Sequence, residues 1–368
     1  MSLKQIFIAL LAVAAVACVN DDEQLPQVDA DKVATQLKRK PFYDRNPESS
    51  APTYTVSSEK YRLEFAGWGA DDPTFTLDFP EEGDYRRVVL CYTMCSEGEG
   101  PADYDNIVML YVRNKADGVW YEIARAMTPF GDEFDQSWSK SFYIDVTEYR
   151  EMLKGSTEFK YYYAGFDATE RRAHAFSVSF NGYVGDEEQE VLGAECVYDS
   201  SINPNTGYRS WAYGVVGYDI ESDERLGRRT LTLPAGTGEV LLRVAITGHG
   251  HDMGDFPDIE GYVPENAAEF VFNKYFMTVN DVMQTAYAPI FYSNANNYYQ
   301  SGTFMYDRAN WAPGNPINTH YWSLNVGAAK GATMSIDIDL QRFVSTFDQP
   351  NAEGVANYIV TVYAFYLK

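Results

Sequence analysis

Histidine is scarce: His174, His249, His251 and His320 are the only four in 368 residues. No His-Glu-x-x-His helix and no Cys-x-x-Cys pair occurs, which removes the usual zinc constellations. There is no Gly-x-Ser-x-Gly elbow and no Gly-Lys-Ser/Thr phosphate loop, so the signatures of serine esterases and nucleotide-cradling enzymes are missing too. Positive charge is in deficit, 29 Lys and Arg against 53 Asp and Glu, for a formal net charge of −24. Nucleic-acid binding needs cations that displace counterions, so a polyanionic partner is excluded. Cysteine is sparse, with Cys18, Cys91, Cys95 and Cys196. If Cys18 is spent elsewhere an odd number remains, and no full disulfide framework exists. Cys91 and Cys95 sit four apart in VVLCYTMC. In extended chain they are about 13 Å apart, beyond bridging unless the strand bends near Met94. Long apolar runs are lacking except for one, IFIALLAVAAVA at 6–17, which is too short for a comfortable membrane span.

That run follows Lys4 and ends in small residues before Cys18, the pattern of a secretory signal. AVAC resembles a lipobox, so residues 1–17 are expected as a signal peptide and Cys18 as a lipidated first residue. The acids Asp21, Asp22 and Glu23 look like a surface-export signal of Bacteroidetes lipoproteins. An outer-membrane or cell-surface protein follows from these expectations. From 18 to 53 the chain is polar and carries Pro26, Pro41, Pro47 and Pro52, which reads as a lipid-anchored linker, with room for a short helix in VATQLKRK.

What the chain has in abundance is aromatic side chains, 15% of residues and 29 Tyr alone. Such residues suit pleated, half-buried surfaces. Phe75, Leu77 and Phe79 alternate with Thr76 and Asp78, the period of a one-sided strand. RRVVLCYTM, IVMLYVRN, VWYEIARAM, SFYIDVTEY, EFKYYYAGF and AFSVSFNGYV continue the pattern to about Val184. GDEEQE at 185–190 is a candidate linker. A second set comprises SWAYGVVGYD, RTLTLP, EVLLRVAITG, AEFVFNKYFMTVN, MSIDIDL and NYIVTVYAFYL, interrupted by a polar, Asn-rich and Gly-rich stretch at 291–325. Long irregular segments on a β scaffold carry function or cover an edge. The expected architecture is all-β: a domain at 54–186 and another at 187–368, each an antiparallel jelly-roll sandwich.

Any catalysis then rests on carboxylates. Asp103 and Asp105 lie at the mouth of a strand in PADYDNIVMLYVRN, although Asp before a strand commonly just shapes a turn. Glu269 sits among Ala267, Ala268, Phe270, Val271 and Phe272, an apolar context that predicts partial burial and therefore a partner or a raised pKa. Arg308 in YDRANWAPG is a candidate partner, though it could equally pair with Asp307. From residue types alone these groups remain as readily structural as catalytic.

Together the segments DYDN, YVRNKADGVWYEIAR, TPF, DVTEYREMLKGSTEFKYY, ITGHGH, AAEF and YDRANWAPG, in that order, resemble the peptide:N-glycosidase F family over about 85–317. The resemblance implies two adjacent eight-stranded antiparallel jelly rolls with a cleft site between them. It implies an amidase that hydrolyses the glycan–asparagine side-chain amide. In that reading Asp105 is the principal catalytic residue and Glu269 the second-domain acid. Arg308, His249, Trp311 and Asn106 are supporting or substrate-binding positions. No cofactor or metal is implied. The partners are N-glycosylated peptides or proteins, and a monomer is expected.

Departures matter. Ala164 stands where the family carries a second first-domain acid, and Asn106 where it carries a basic residue. His249 stands at an aromatic position, and Ala267, Val271 and Ala312 at bridging cysteines. Other readings therefore stay open. One is a glycan-binding lipoprotein that has lost turnover. Another is a copper-dependent monooxygenase-like protein using His249 and His251 with His320 as third ligand. The last is a structural surface protein such as an adhesin.

Overall fold

A computed structural model describes residues 25–29, 33–64, 73–83, 85–97, 101–131, 137–163, 173–185, 189–199, 226–249, 269–270, 272–327, 331–341 and 357–368. Within them the chain is all-β and antiparallel, built as two jelly-roll sandwiches side by side. The strands are β1 (Ala34–Arg39), β2 (Tyr54–Ser57), β3 (Tyr61–Leu63), β4 (Thr74–Asp78), β5 (Tyr85–Glu97) and β6 (Ile107–Arg113). They continue with β7 (Trp120–Met127), β8 (Ser139–Asp145), β9 (Ser156–Tyr163), β10 (Ala173–Val184), β11 (Val191–Asp199) and β12 (Arg229–Leu233). The last are β13 (Glu239–His249), β14 (Asn273–Val279), β15 (Val282–Ile290), β16 (His320–Asn325), β17 (Ala332–Leu340) and β18 (Asn357–Leu367).

The first sandwich packs the sheet β2-β10-β5-β8 against β4-β9-β6-β7, and the second packs β1-β16-β13-β18-β11 against β12-β17-β14-β15. β3 also pairs with β10, on the same side as β2, so the two are pieces of one interrupted edge strand and the first sandwich has eight strand positions. The second has eight strands plus β1. This addition comes from the segment expected to be a linker with a helical turn. Residues 34–39 instead run antiparallel to β16, with Ala34 opposite Asn325 and Arg39 opposite His320. VATQLKRK has no apolar stripe at helical spacing, whereas an open sheet edge offers it a full ladder of hydrogen bonds.

Burial follows the sequence patterns. β4 alternates, burying Phe75 and Leu77, and β14 does the same with Tyr275, Met277 and Val279. β18 is apolar almost throughout because both of its faces are covered. Tyr358, Val360, Val362, Ala364 and Tyr366 enter the core of the second sandwich. Tyr363, Phe365 and Leu367 pack into the core of the first. The sheet carrying β13 and β18 is thus the shared wall of the two domains.

Two expectations shift. Glu269 lies in a turn ahead of β14, which begins only at Asn273. The irregular stretch ends at 319, because His320–Asn325 forms β16 between β1 and β13. Cys91, Cys95 and Cys196 form no disulfide among the described residues, in keeping with their sequence spacing. The leader with Cys18, the SWAYGVVGYD strand, Ala164 and His251 lie outside the described residues.

Candidate active site

One edge of the site is the turn that feeds β6. Beyond the β6–β7 ladder, Asn106 N–H donates to Thr128 Oγ1 (2.8 Å), and Thr128 N–H donates to the Asn106 carbonyl (2.9 Å). These bonds prolong the ladder by one step and fix Asp105 at its open end. Asn106 is buried, and its side-chain amide donates to the Tyr104 carbonyl (2.8 Å). One N–H of its amide thereby braces the turn. Gly131 is the other constraint. A Cβ there would collide with the backbone carbonyls of Pro101 and Ala102, so the turn leans directly on the glycine.

The opposite edge belongs to the second sandwich. Ala309 N–H donates to the Glu269 carbonyl (2.8 Å) and Gly248 N–H to the Ala309 carbonyl (3.1 Å). Residues 308–311 are thereby strapped between the Glu269 turn and the end of β13. Asn310 holds the bend. It adopts φ 71°, a conformation Asn tolerates, and its amide donates to the carbonyls of Ile246 and Asn318 (2.7 Å each).

Arg308 is 1% exposed and fully engaged as a clamp. Its Nε donates to Glu269 Oε1 (3.3 Å), Nη1 to the carbonyls of Thr303 (2.9 Å) and Tyr306 (2.8 Å), and Nη2 to Thr303 Oγ1 (2.8 Å). The guanidinium lies 4.7 Å from the Trp311 ring centroid, 4.9 Å from Phe270 and 6.0 Å from Phe130, which reaches in from the first sandwich. The Glu269 carboxylate is 17% exposed.

Asp105 faces this pair across the domain boundary. Its carboxyl is pushed up to about 7, first by loss of hydration and then by the negative charge of Glu269, while Arg308 pulls the other way. A carboxyl raised into the neutral range beside a second carboxylate suits proton transfer. The structure thus brings Asp105, Glu269 and Arg308 together.

His249 and Trp311 form the floor. Their rings stack at 5.5 Å and 19°, and Trp311 Nε1 donates to the Gly248 carbonyl (2.7 Å). Trp311 is buried at 1% exposure, with its ring packed against Arg308 and His249. His249 shares a hydrogen bond with Thr247 Oγ1 (2.7 Å) and is held down to about 3 by burial and by Arg125. At neutral pH it is therefore the uncharged imidazole. His320 is remote from it. Its ring stacks on Tyr275 in the interior of the second sandwich, at 3.0 Å from the tyrosine hydroxyl. The expected third copper ligand is therefore not beside His249, and no metal-binding cluster occurs among the described residues.

Sequence reasoning passed over a buried charge network behind the site. Glu122 Oε2 accepts from Arg125 Nη2 (2.6 Å), and Arg243 Nη2 stands 3.4 Å from Glu122 Oε1. Arg125 also donates to Thr247 Oγ1 (2.8 Å) and the Ile359 carbonyl (3.0 Å), linking the first sandwich to the second and to His249. A signal existed in VWYEIARAM, two opposite charges inside an apolar strand. At a separation of three they would point to opposite faces of a regular strand. In β7 Leu110 pairs with Ala124 but Tyr111 pairs with Glu122, so Ile123 is an extra residue and both charges reach the same face.

Two β-sandwiches meeting at a pair of facing carboxylates braced by a buried arginine define a two-domain β-protein with a carboxylate-lined interdomain site. The C-terminal region, residues 218–365, matches the family model described as peptide-N-glycosidase F, C terminal. The chain is thus similar to the peptide-N-glycosidase F family, most directly in its second sandwich. It is 28% identical over 252 residues to peptide-N(4)-(N-acetyl-beta-D-glucosaminyl)asparagine amidase F of Elizabethkingia miricola, covering 66% of this chain and 64% of that relative. The aligned part therefore spans just under two thirds of the relative's length. Among solved structures, a peptide-N(4)-(N-acetyl-beta-D-glucosaminyl)asparagine amidase superposes with a TM-score of 0.65 at 23% identity, covering 84% of this chain and 96% of that one. PNGase F, a glycosylasparaginase from Flavobacterium meningosepticum, gives 0.64 at 24% identity, with 85% and 96% covered. PNGF-II gives 0.59 at 14% identity, with 91% and 66% covered.

Proposed function

We propose that this chain is an amidase that hydrolyses the bond between an N-glycan and the asparagine side chain of glycopeptides or glycoproteins. The observation that carries the reading is the meeting of Asp105 from one sandwich with the Glu269–Arg308 pair of the other. Water adds to the side-chain carbonyl carbon as Asp105 takes the water's proton, and Asp105 returns that proton to the amide nitrogen as the C–N bond of the tetrahedral intermediate breaks. Aspartate stays in the peptide, and the glycosylamine leaves and then loses ammonia to water. Glu269 accepts the substrate's N–H or a sugar hydroxyl. Arg308, its donors committed within the protein, holds Glu269 in place and is a positioning residue. Export by the leader at 1–17, with lipid attachment at Cys18 and display at the outer membrane, is part of the same proposal and would put the enzyme where foreign glycoproteins are met.

A denatured N-glycopeptide incubated with the full chain tests the reading. The expected result is released glycan with conversion of Asn to Asp, read by mass spectrometry, and loss of both in Asp105→Asn. Glycan binding without conversion supports the second reading, a turnover-deficient glycan-binding protein, which the replacement of a family acid by Ala164 favours.

A further inference from the structure

A second cleft lies apart from the carboxylates, with a volume of about 560 Å3. One wall is residues 40–44. Tyr43 N–H donates to the Tyr143 carbonyl (2.9 Å) and Tyr143 N–H to the Tyr43 carbonyl (2.8 Å), pinning this wall to β8 of the first sandwich. The other wall is the loop at 291–298 of the second. The ring of Phe42 lies parallel to that of Tyr292 at 6.5 Å and 6°. Lys140 Nζ lies 4.4 Å over the Tyr298 ring, 3.7 Å from Asp44 Oδ1 and 3.4 Å from Asn315 Oδ1. Tyr298 is fixed by its hydroxyl, which donates to the Gly314 carbonyl (2.8 Å). It occupies the space a Cβ at residue 314 would need, and Gly314 adopts φ 74°.

We infer that this cleft is a second saccharide-binding site, for a neutral oligosaccharide. The size is that of a pocket for a small ligand, about 300–1,000 Å3. Its charges are compensated internally, Lys140 by Asp44 and Lys40 by Glu148 (2.6 Å), so a neutral ligand fits. Its lining combines the aromatic residues Phe42, Tyr292 and Tyr298 with Asn296 and Asn318, which suits a molecule whose C–H faces stack and whose hydroxyls hydrogen-bond. An extended peptide would need open strand backbone, and on β8 Tyr43 already takes both groups of Tyr143. The cleft is mechanically joined to the carboxylate site. Tyr292 exchanges two backbone hydrogen bonds with Arg308 (2.8 and 3.1 Å), so one loop frames both. The inference rests on the amidase reading for the class of sugar, an outer branch of an N-glycan whose reducing end occupies the carboxylate site.

The probe is a neutral oligomannoside lacking the N-acetylglucosamine pair, titrated calorimetrically into the full chain. Saturable binding is expected, weakened tenfold or more in Asn296→Trp, whose indole would fill the cleft, and unchanged in Asp105→Asn. No binding to wild type, equal binding to Asn296→Trp, or competition by a glycan-free peptide overturns the inference. A glycan-release assay run beside it keeps the two ideas separate. Oligosaccharide binding in the expected pattern without glycan release supports the second site and counts against the amidase.

Discussion

At the scale of single residues, the raised carboxyl of Asp105 has two consequences with opposite sense. As a base it must be ionised, so glycan release is expected to rise with pH through about 7. In Glu269→Gln the like charge is gone while the lost hydration remains. The acid limb of a kcat/KM profile should therefore move to lower pH without reaching the ordinary carboxylate range, and an unmoved limb would contradict the cause assigned here. For stability the sign reverses. The folded state holds this proton more tightly than the unfolded chain, so stability is lost as pH rises from about 4 towards about 7. Asp105→Asn is expected to raise Tm by a few degrees at pH 8 and by less at pH 5, measured by differential scanning calorimetry. How much of this was legible in sequence differs by residue. Asp105, Glu269 and Arg308 could be nominated from the resemblance. The inward turn of Asn106 and the burial of Trp311 could not: the first rests on one of several local hydrogen bonds open to an Asn in a turn, here to Tyr104, and the second on a tertiary one to Gly248.

At the scale of elements, Gly131 is the joint on which the Asp105 turn rests. Gly131→Ala is expected to push 101–105 away and to cut kcat on a glycopeptide by about tenfold to a hundredfold, a misplacement effect, while Tm falls modestly. Unchanged turnover would show that the turn yields without cost. One-sided strands such as β4 were readable because one buried face leaves a two-residue period. β1 and β16 were not. Their sequences are mixed in polarity, and they become strands because each completes a ladder begun by residues more than 70 positions away. The bulge at Ile123 was hidden for a related reason, since register is a property of two strands and the sequence of β7 alone does not contain it.

At the scale of the molecule, the two sandwiches are bonded through buried charge. Glu122, Arg125 and Arg243 are each about 1% exposed or less. Glu122→Ala would strand two cations in the interior, with an expected loss of about 3–5 kcal/mol. Chemical denaturation should show it as a fall in midpoint, and Glu122→Gln should lose less. An unaltered midpoint would mean the network is neutral to stability. The division into two β domains was legible from the strand runs, but their common wall was not. That wall depends on β18 burying opposite faces in different cores, which sequence shows only as unbroken apolarity.

The position of β18 also sets an order of events during synthesis. All the strands of the first sandwich have been translated by Val184. The second cannot close then, because the strand that separates β13 from β11 is encoded last among the described elements. Until residues 357–367 emerge from the ribosome, β11 and β13 each wait with an open edge and an uncovered apolar face. Such an intermediate is a natural client for a chaperone, and a stop codon ahead of residue 357 would leave the half-built sandwich without its central plank.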